Sequence, residues 1–229
     1  MINSIWKKIV PKDIIASLKT YQILNFKYGH LQTVKSWTCV DRKGNPIPWY
    51  TYPSIEYIKQ LNFLEKEVFE YGSGYSSMFW AERCKSLVSV EDNEEWYNKI
   101  KTKLPINVDY CFTKNKETYT RAILNYKKKF DVIIIDGNYR YECAVIARDK
   151  LSETGMIILD NSDWQEKTSH FLRESNLIEV DMTGFGPINS YTWTTSFFFS
   201  RSFNFSPACG HQPVHGIGSL RHRESYNDS

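Results

Sequence analysis

The stretch Glu70-Tyr71-Gly72-Ser73-Gly74 decides the fold of this chain of 229 residues. It ends a short apolar run and leads into a segment with helical periodicity, so we expect a strand, a tight turn and a helix in that order. The glycines permit the turn and let backbone N–H groups approach an anionic ligand at the helix N-terminus. Because many tight turns contain Gly-x-Gly, the flanking residues must identify the ligand.

Strand and helix patterns alternate from Glu67 onward, which indicates βαβ units and a mostly parallel sheet. Seven strands are predicted, at 67–71, 86–91, 107–112, 131–136, 155–160, 178–183 and 195–201. Helices are predicted at 76–84, 94–102, 117–128, 139–151 and 164–175. The last two strands are joined by a loop at 184–191 without a crossover helix, so we expect an antiparallel last strand. The predicted fold class is therefore α/β, with a doubly wound sheet of mostly parallel strands.

Three regions follow one another along the chain. Residues 1–53 are predicted to form a helical and aromatic-rich cap segment, broken near its start by Pro11. Residues 54–205 carry the α/β pattern. Residues 206–229 are rich in Gly, His, Ser and Arg without periodicity, so we expect a disordered tail.

Composition narrows the class of protein. The formal net charge of +3 and a pI near 8.4 do not indicate a nucleic-acid binder, and no nucleic-acid partner is expected. The five cysteines are widely spaced and form no C-x-x-C pair, which argues against a disulfide framework and a zinc ribbon. No apolar run is long enough for a membrane span or a signal peptide, so we expect a cytoplasmic protein without a membrane partner.

The residues around the glycines favour S-adenosylmethionine (SAM) over a nicotinamide cofactor. The next predicted strand ends in Glu91-Asp92, about 20 residues beyond the glycines, where a carboxylate can accept both ribose hydroxyls. Ser77 replaces the third glycine of the dinucleotide pattern, and Glu70 precedes the first glycine by two positions.

With these features, residues 49–201 resemble class I SAM-dependent methyltransferases, and the segment Pro48-Trp49-Tyr50-Thr51-Tyr52-Pro53 resembles the subgroup that carries E-Y-G-S-G. The resemblance implies a Rossmann-like sheet of seven strands and makes residues 54–205 a SAM-binding methyltransferase domain. Implied cofactor contacts come from Glu70, Tyr71, Gly72, Ser73, Gly74, Ser76, Ser77, Glu91, Asp92, Asp136, Thr51 and Tyr52. Asp109 or Tyr110 is predicted to meet the adenine edge.

A metal site is predicted beside the cofactor. The strands at 131–136 and 155–160 bring Asp136, Asp160 and Asn161 to the carboxyl edge of the sheet, and such oxygen ligands suit Mg²⁺. The set resembles the D…DN pattern of metal-dependent small-molecule O-methyltransferases. The alternative interpretation is a strand-end residue followed by a helix-capping pair.

The implied activity is O-methylation of a hydroxyl on a small-molecule or sugar-type acceptor, with assistance from Mg²⁺. Asp136, Arg140 and Asp163 are the candidate catalytic residues, because Asn138 stands where related sugar-type enzymes have an acid. One alternative is a SAM-binding scaffold without turnover. Another is an NAD-dependent oxidoreductase, which predicts a third glycine and a parallel last strand.

Overall fold

The computed structural model describes residues 11–220. Its centre is one seven-stranded sheet in the order β3-β2-β1-β4-β5-β7-β6, so the prediction of seven strands is confirmed. The strands are β1 (Glu67–Tyr71), β2 (Ser86–Glu91), β3 (Val108–Phe112), β4 (Phe130–Ile135), β5 (Leu151–Leu159), β6 (Ile178–Gly184) and β7 (Trp193–Phe199).

Strand direction follows the prediction as well. Strands β1 to β5 pair in parallel, whereas β7 lies between β5 and β6 and is antiparallel to both. The central strands are apolar on both faces because helices cover both sides, as in other parallel sheets. Strands β1, β2, β4 and β5 therefore end at one common edge, called here the carboxyl edge, where open α/β sheets bind ligands.

The helices fill the connections. They are α1 (Lys12–Gln22), α2 (His30–Ser36), α3 (Tyr52–Ile58), α4 (Tyr75–Ala81), α5 (Glu94–Lys101), α6 (Lys116–Arg121), α7 (Arg140–Ala147) and α8 (Glu166–Glu174), with a π-helical turn at Ile23–Lys27. Two apolar layers result, one on each face of the sheet. Trp80 and Phe197 lie fully buried in the first layer, and Tyr119 and Phe198 in the second.

Two element boundaries differ from the sequence prediction. The helix predicted at 117–128 ends at Arg121 and continues as a 3₁₀ turn over Ala122–Asn125. Strand β5 begins at Leu151, inside the helix predicted at 139–151, because Leu151 pairs with Phe130 across a register shift in β4. Pairing across the sheet has overridden the local helical pattern at Leu151.

The cap segment rests on the loop between β6 and β7. The Nδ1 atom of His30 lies 3.1 Å from the carbonyl oxygen of Gly186, and the hydroxyl of Thr33 accepts a 2.8 Å hydrogen bond from the backbone N–H of Ile188. The first part of the predicted cap, residues 1–10, lies outside the described residues.

The chain beyond β7 returns along α3. The backbone N–H of Ala208 donates to the carbonyl of Gln60 at 2.7 Å, and the N–H of Ile217 donates to the Glu56 carboxylate at 3.0 Å. These contacts lie in the segment that the sequence predicts to be disordered, of which residues 221–229 are outside the described part.

The five cysteines are free thiols, which agrees with their irregular spacing. Between residues 11 and 220, none of the helices has the length and apolarity needed to cross a membrane.

Candidate functional site

The glycine turn after β1 is packed onto the turn after β4. Gly72 has φ +87°, and a Cβ placed on it would lie 2.8 Å from the backbone nitrogen of Gly137. The N–H of Gly137 donates to the carbonyl of Tyr71 at 2.8 Å, and the N–H of Gly72 donates to the carbonyl of Val90 at 2.9 Å. Only glycine combines this backbone conformation with this approach, so the two turns pack backbone against backbone at the carboxyl edge.

Glu70 holds the start of α4 from beneath the turn. Its buried Oε2 accepts hydrogen bonds from the hydroxyls of Ser77 at 2.5 Å and Ser89 at 2.8 Å. Ser77 in turn accepts from the N–H of Gly74 at 3.0 Å. Burial raises the pKa of Glu70 to about 7, and the hydrogen bonds from Ser77 and Ser89 offset part of that rise. The Oε1 atom is buried without a hydrogen-bond partner among residues 11–220, so it can still accept a donor.

Glu91 ends β2 and already receives four donors. Its Oε2 accepts from the N–H and the hydroxyl of Ser73, at 3.0 and 2.6 Å. Its Oε1 accepts from the N–H groups of Asp92 and Asn93, at 3.1 and 2.9 Å. A carboxylate has about four acceptor positions, so ribose hydroxyls can bind Glu91 only if Ser73 releases it.

Aromatic side chains surround Ser73. The indole N–H of Trp96 donates to the carbonyl of Ser73 at 2.7 Å, and the hydroxyls of Tyr110 and Ser73 are 2.7 Å apart. Of the two residues predicted to meet the adenine edge, Tyr110 therefore lies at the glycine turn. Asp109 instead accepts a 2.5 Å hydrogen bond from Tyr126.

The predicted metal ligands surround an arginine instead. Arg140 donates from Nε to the carbonyl of Gly137 at 2.9 Å and from Nη2 to the carbonyl of Asp136 at 2.8 Å. The same Nη2 lies 3.3 Å from Oδ1 of Asp136. Nη1 donates to Oδ1 of Asn161 at 3.1 Å and to the carbonyl of Asp160. The guanidinium thus joins the ends of β4 and β5.

Asp136, Asp160 and Asn161 consequently do not fit a cation site in this geometry. Oxygens of Asp136 and Asn161 face a permanent positive charge, which would repel a divalent ion. Oδ1 of Asp160 accepts from the indole N–H of Trp193 at 3.1 Å and from the hydroxyl of Thr195 at 2.6 Å. Within residues 11–220, no group of three His, Cys, Asp or Glu side chains is arranged to hold a metal ion. The predicted Mg²⁺ site is therefore not supported by this arrangement, and it stays a prediction.

The carboxyl edge nevertheless holds several carboxyl groups whose pKa values are raised. Burial raises the pKa of Asp136 to about 6, more than the charge of Arg140 lowers it. Burial and the neighbouring charge of Asp136 raise the pKa of Asp160 well above its ordinary value. Burial also raises the pKa of Tyr50, and the charges of Asp136, Glu70 and Asp160 raise it further. Three carboxyl groups and one buried phenol therefore share a region from which water is largely removed, and this set is called here the acid cluster.

The other predicted site residues lie at different places. Tyr71 is buried in the core and its hydroxyl donates to the carbonyl of Thr120 at 2.8 Å, so only its backbone belongs to the turn. Asp163 is exposed and accepts from the N–H of Thr194 at 3.0 Å, which makes it an anchor for β7. Asp92 accepts a 2.8 Å hydrogen bond from the amide of Asn138.

Thr51 and Tyr52 join the cap to the hairpin instead of the glycine turn. The N–H of Thr51 donates to the hydroxyl of Thr195 at 3.1 Å, and its own hydroxyl donates to the carbonyl of Met182 at 2.8 Å. The N–H of Tyr52 donates to the carbonyl of Phe185 at 2.7 Å, and its ring packs on Tyr28. The hydrogen bonds of Thr51 therefore reach Asp160 through Thr195.

Sequence reasoning missed Ser89 and Thr195 as site residues. Ser89 is a small polar residue inside the apolar run Leu87-Val88-Ser89-Val90, and such a residue in a buried strand must find a partner. Ser89 could have been recognised as the partner of Glu70 on that ground. Thr195 gave no such signal, because its contact with Asp160 depends on the antiparallel pairing of β5 and β7.

The fold is similar to that of several solved methyltransferase structures. A methyltransferase-like protein from Silicibacter pomeroyi has 18% identity and a TM-score of 0.50, over 68% of this chain and 89% of its own. A Klebsiella pneumoniae protein assigned as an O-methyltransferase has 16% identity and a TM-score of 0.50, over 59% and 73%. An rRNA methylase from Streptococcus thermophilus has 11% identity and a TM-score of 0.50, over 65% and 94%.

At these identities the comparison establishes the fold, which is the Rossmann-like methyltransferase fold that the sequence predicted. Neither a protein-family model nor a curated protein matches this sequence. The narrower resemblance to the E-Y-G-S-G subgroup stays a prediction.

Proposed function

We propose that the chain is a SAM-dependent methyltransferase that methylates a hydroxyl of a small-molecule or sugar-type acceptor. The observation that carries the proposal is the glycine turn at Gly72, packed on Gly137 next to the acid cluster, on a sheet whose β7 is antiparallel. An antiparallel last strand and the absence of a third glycine argue against the NAD-dependent alternative.

The residues at the carboxyl edge fit SAM on two counts. The glycine turn brings the chain at Gly72 to the carboxyl edge without a side chain, and Oε1 of Glu70 is a buried acceptor that lacks a donor among residues 11–220. SAM supplies an electrophilic methyl group on a positively charged sulfonium. Carboxyl groups attract such a cation when they are ionised, and in a buried region little water screens that attraction.

Asp136 is the proposed general base. A base works best when its pKa lies near the working pH, and the pKa of Asp136 is raised to about 6. As a carboxylate, Asp136 would take the proton of the acceptor hydroxyl while Arg140 holds the end of β4 in place. The proposal includes no Mg²⁺, because Arg140 already supplies the positive charge beside Asp136 and Asn161.

The test separates cofactor binding from turnover. Thermal shift with SAM, S-adenosylhomocysteine and NAD should show stabilisation by the first two only. The wild-type protein should then transfer label from methyl-labelled SAM to a member of a hydroxylated metabolite panel. Asp136→Asn, which keeps the size of the side chain, should bind SAM but transfer methyl groups at least about 100-fold more slowly.

Stabilisation by NAD and by neither SAM-type ligand would contradict the proposal. SAM binding without transfer to any panel member, in the wild type as well as in Asp136→Asn, would favour the scaffold interpretation. Label transfer by Asp136→Asn at the wild-type rate would remove Asp136 as the base and leave the rest of the proposal standing.

A further inference from the structure

A cavity lies between the cap segment, α3 and the returning chain, and is called here the cap cavity. Its volume is about 350 Å³, at the lower end of the range for small-molecule sites. None of its lining residues belongs to the acid cluster. They are Lys27, Tyr28, Asp41, Arg42, Lys43, Asn45, Ile47, Tyr52, Ile55, Glu56, Lys59, Ile217 and Gly218.

Four of these side chains are basic and two are acidic, and the two acids are already engaged. Asp41 accepts from the N–H groups of Lys43 and Asn45, at 2.8 and 3.0 Å, and from the Asn45 amide at 3.1 Å. Glu56 accepts from the hydroxyl of Tyr28 and from the N–H of Ile217. Both carboxylates therefore stabilise the walls of the cavity.

The basic groups have no such partners. The side chains of Lys27, Arg42, Lys43 and Lys59 form neither an ion pair nor a hydrogen bond with residues 11–220. Lys59 is the most enclosed of them, and burial lowers its pKa more than the charges of Asp41 and Glu56 restore it. An ammonium group in that position lacks a close counter-ion, and an incoming anion would supply one.

The remaining walls are apolar and aromatic. The rings of Tyr28 and Tyr52 lie 4.5 Å apart between centroids, and Ile47 and Ile55 are buried beside them. A ligand that filled this space would need an apolar part against the rings as well as an anionic end near Lys59. Lys27 reaches the cavity from the end of the π-helical turn Ile23–Lys27, a geometry that is frequent at functional sites.

We propose that the cap cavity binds a small organic anion, a carboxylate or phosphate monoester that carries an apolar or aromatic group. The site is separate from the proposed methyl-transfer chemistry, which requires none of these residues. It is nevertheless connected to the carboxyl edge, because Tyr52 follows Thr51, whose N–H donates to Thr195, which donates to Asp160.

Calorimetric titration of the full chain, without SAM, tests the site with four probes: phenyl phosphate, benzoate, inorganic phosphate and neutral benzyl alcohol. At least one aromatic anion should bind about tenfold more tightly than both benzyl alcohol and inorganic phosphate. The preference between phenyl phosphate and benzoate identifies the anionic group. No methyl transfer is measured, so failure here is distinguishable from failure of the proposed function.

Two variants locate the binding. Lys59→Gln and Arg42→Gln should each weaken binding of the aromatic anion by about tenfold. Lys19→Gln, on the exposed face of α1, should leave the affinity unchanged. Circular dichroism of each variant checks folding, and Arg42 is exposed enough to be replaced without loss of packing. The proposal is overturned if no probe binds at millimolar concentration, if benzyl alcohol or inorganic phosphate binds as tightly as the aromatic anions, or if both folded cavity variants bind like the wild type.

Discussion

Gly72 and Gly137 pack backbone against backbone across the ends of β1 and β4. A Cβ on Gly137 would lie 2.9 Å from the nitrogen of Gly72, and one on Gly72 would lie 2.8 Å from the nitrogen of Gly137. The two turns form one rigid unit, in which neither side chain can grow without moving the other strand end.

Gly72→Ala should destabilise the protein more than Gly44→Ala does. The two glycines have nearly the same conformation, with φ of +87° and +88°, but nothing lies within 4 Å of a Cβ on Gly44. Both variants place an alanine in a backbone conformation that favours glycine. Only in Gly72→Ala does the new Cβ also collide with another part of the protein, the backbone of Gly137. The extra loss in free energy of unfolding should be about 1–3 kcal/mol, measured by urea denaturation. Equal losses would show that the turns can separate at little cost.

SAM binding should release protons, and S-adenosylhomocysteine should release fewer. The pKa values of Asp136 and Glu70 are raised to about 6 and about 7, so both are partly protonated near pH 6.5. A bound sulfonium cation favours their charged forms and lowers both pKa values. Calorimetry in buffers of different ionisation enthalpy should give about 0.5–1 proton released for SAM at that pH. Equal release for both ligands would place the sulfonium away from the acid cluster.

The pH dependence of turnover should report Asp136. The carboxylate is the active form, so kcat/KM should fall about tenfold per pH unit below the pKa of about 6 and level off above it. Glu70→Gln serves as the control. It removes the other acid that titrates nearby, and kcat/KM should still fall at low pH. If kcat/KM of Glu70→Gln no longer falls at low pH, the titrating group is Glu70 instead of Asp136.

Glu70→Gln should also change how stability depends on pH. The pKa of Glu70 in the folded protein is about 7, above its ordinary value of 4.5. Its contribution to folding is therefore fully present below pH 4.5 and is lost as the pH rises through about 7. Gln stays neutral and suffers no such loss. The stability of the variant relative to wild type should rise by about 3 kcal/mol between pH 4.5 and about pH 8, measured by denaturation. A difference that stays constant with pH would contradict the burial of a charged Glu70.

Arg140 should make the carboxyl edge independent of metal. Chelator should leave methyl transfer unchanged, and Mn²⁺ added to the wild type should stay free by electron paramagnetic resonance. Arg140→Met removes the five N–H donors that join β4 and β5, and its free energy of unfolding should drop by about 3–5 kcal/mol. Arg140→Lys, which keeps the charge without the planar fork, should recover only part of that loss. Tight binding of Mn²⁺ by the wild type would restore the metal interpretation.

The sequence was informative where chemistry is local to one strand or turn. Strand ends at Glu91, Asp136 and Asp160 follow from apolar runs that stop at an acid, and parallel strands must bring such ends to one edge. The metal interpretation stays a prediction, and the sequence did not show that Arg140 lies against its residues, because Arg140 follows Tyr139, which adopts a left-handed conformation with φ 54° at the start of α7. After that turn, the guanidinium of Arg140 lies against Asp136 and Asn161. The pattern of apolar residues in the sequence does not predict such a turn. The occupation of Glu91 by Ser73 is likewise a property of the folded turns.

The place of β7 has a consequence for how the chain is assembled during synthesis. Strand β6 pairs only with β7, and β7 is the strand that joins it to β5. A growing chain releases β6 first, so β6 stays without a sheet partner until residues 193–199 have emerged. The same event delivers Trp193 and Thr195 to Asp160. Completion of the sheet and hydrogen bonding of Asp160 are therefore one step, and a chain that ends before β7 lacks both.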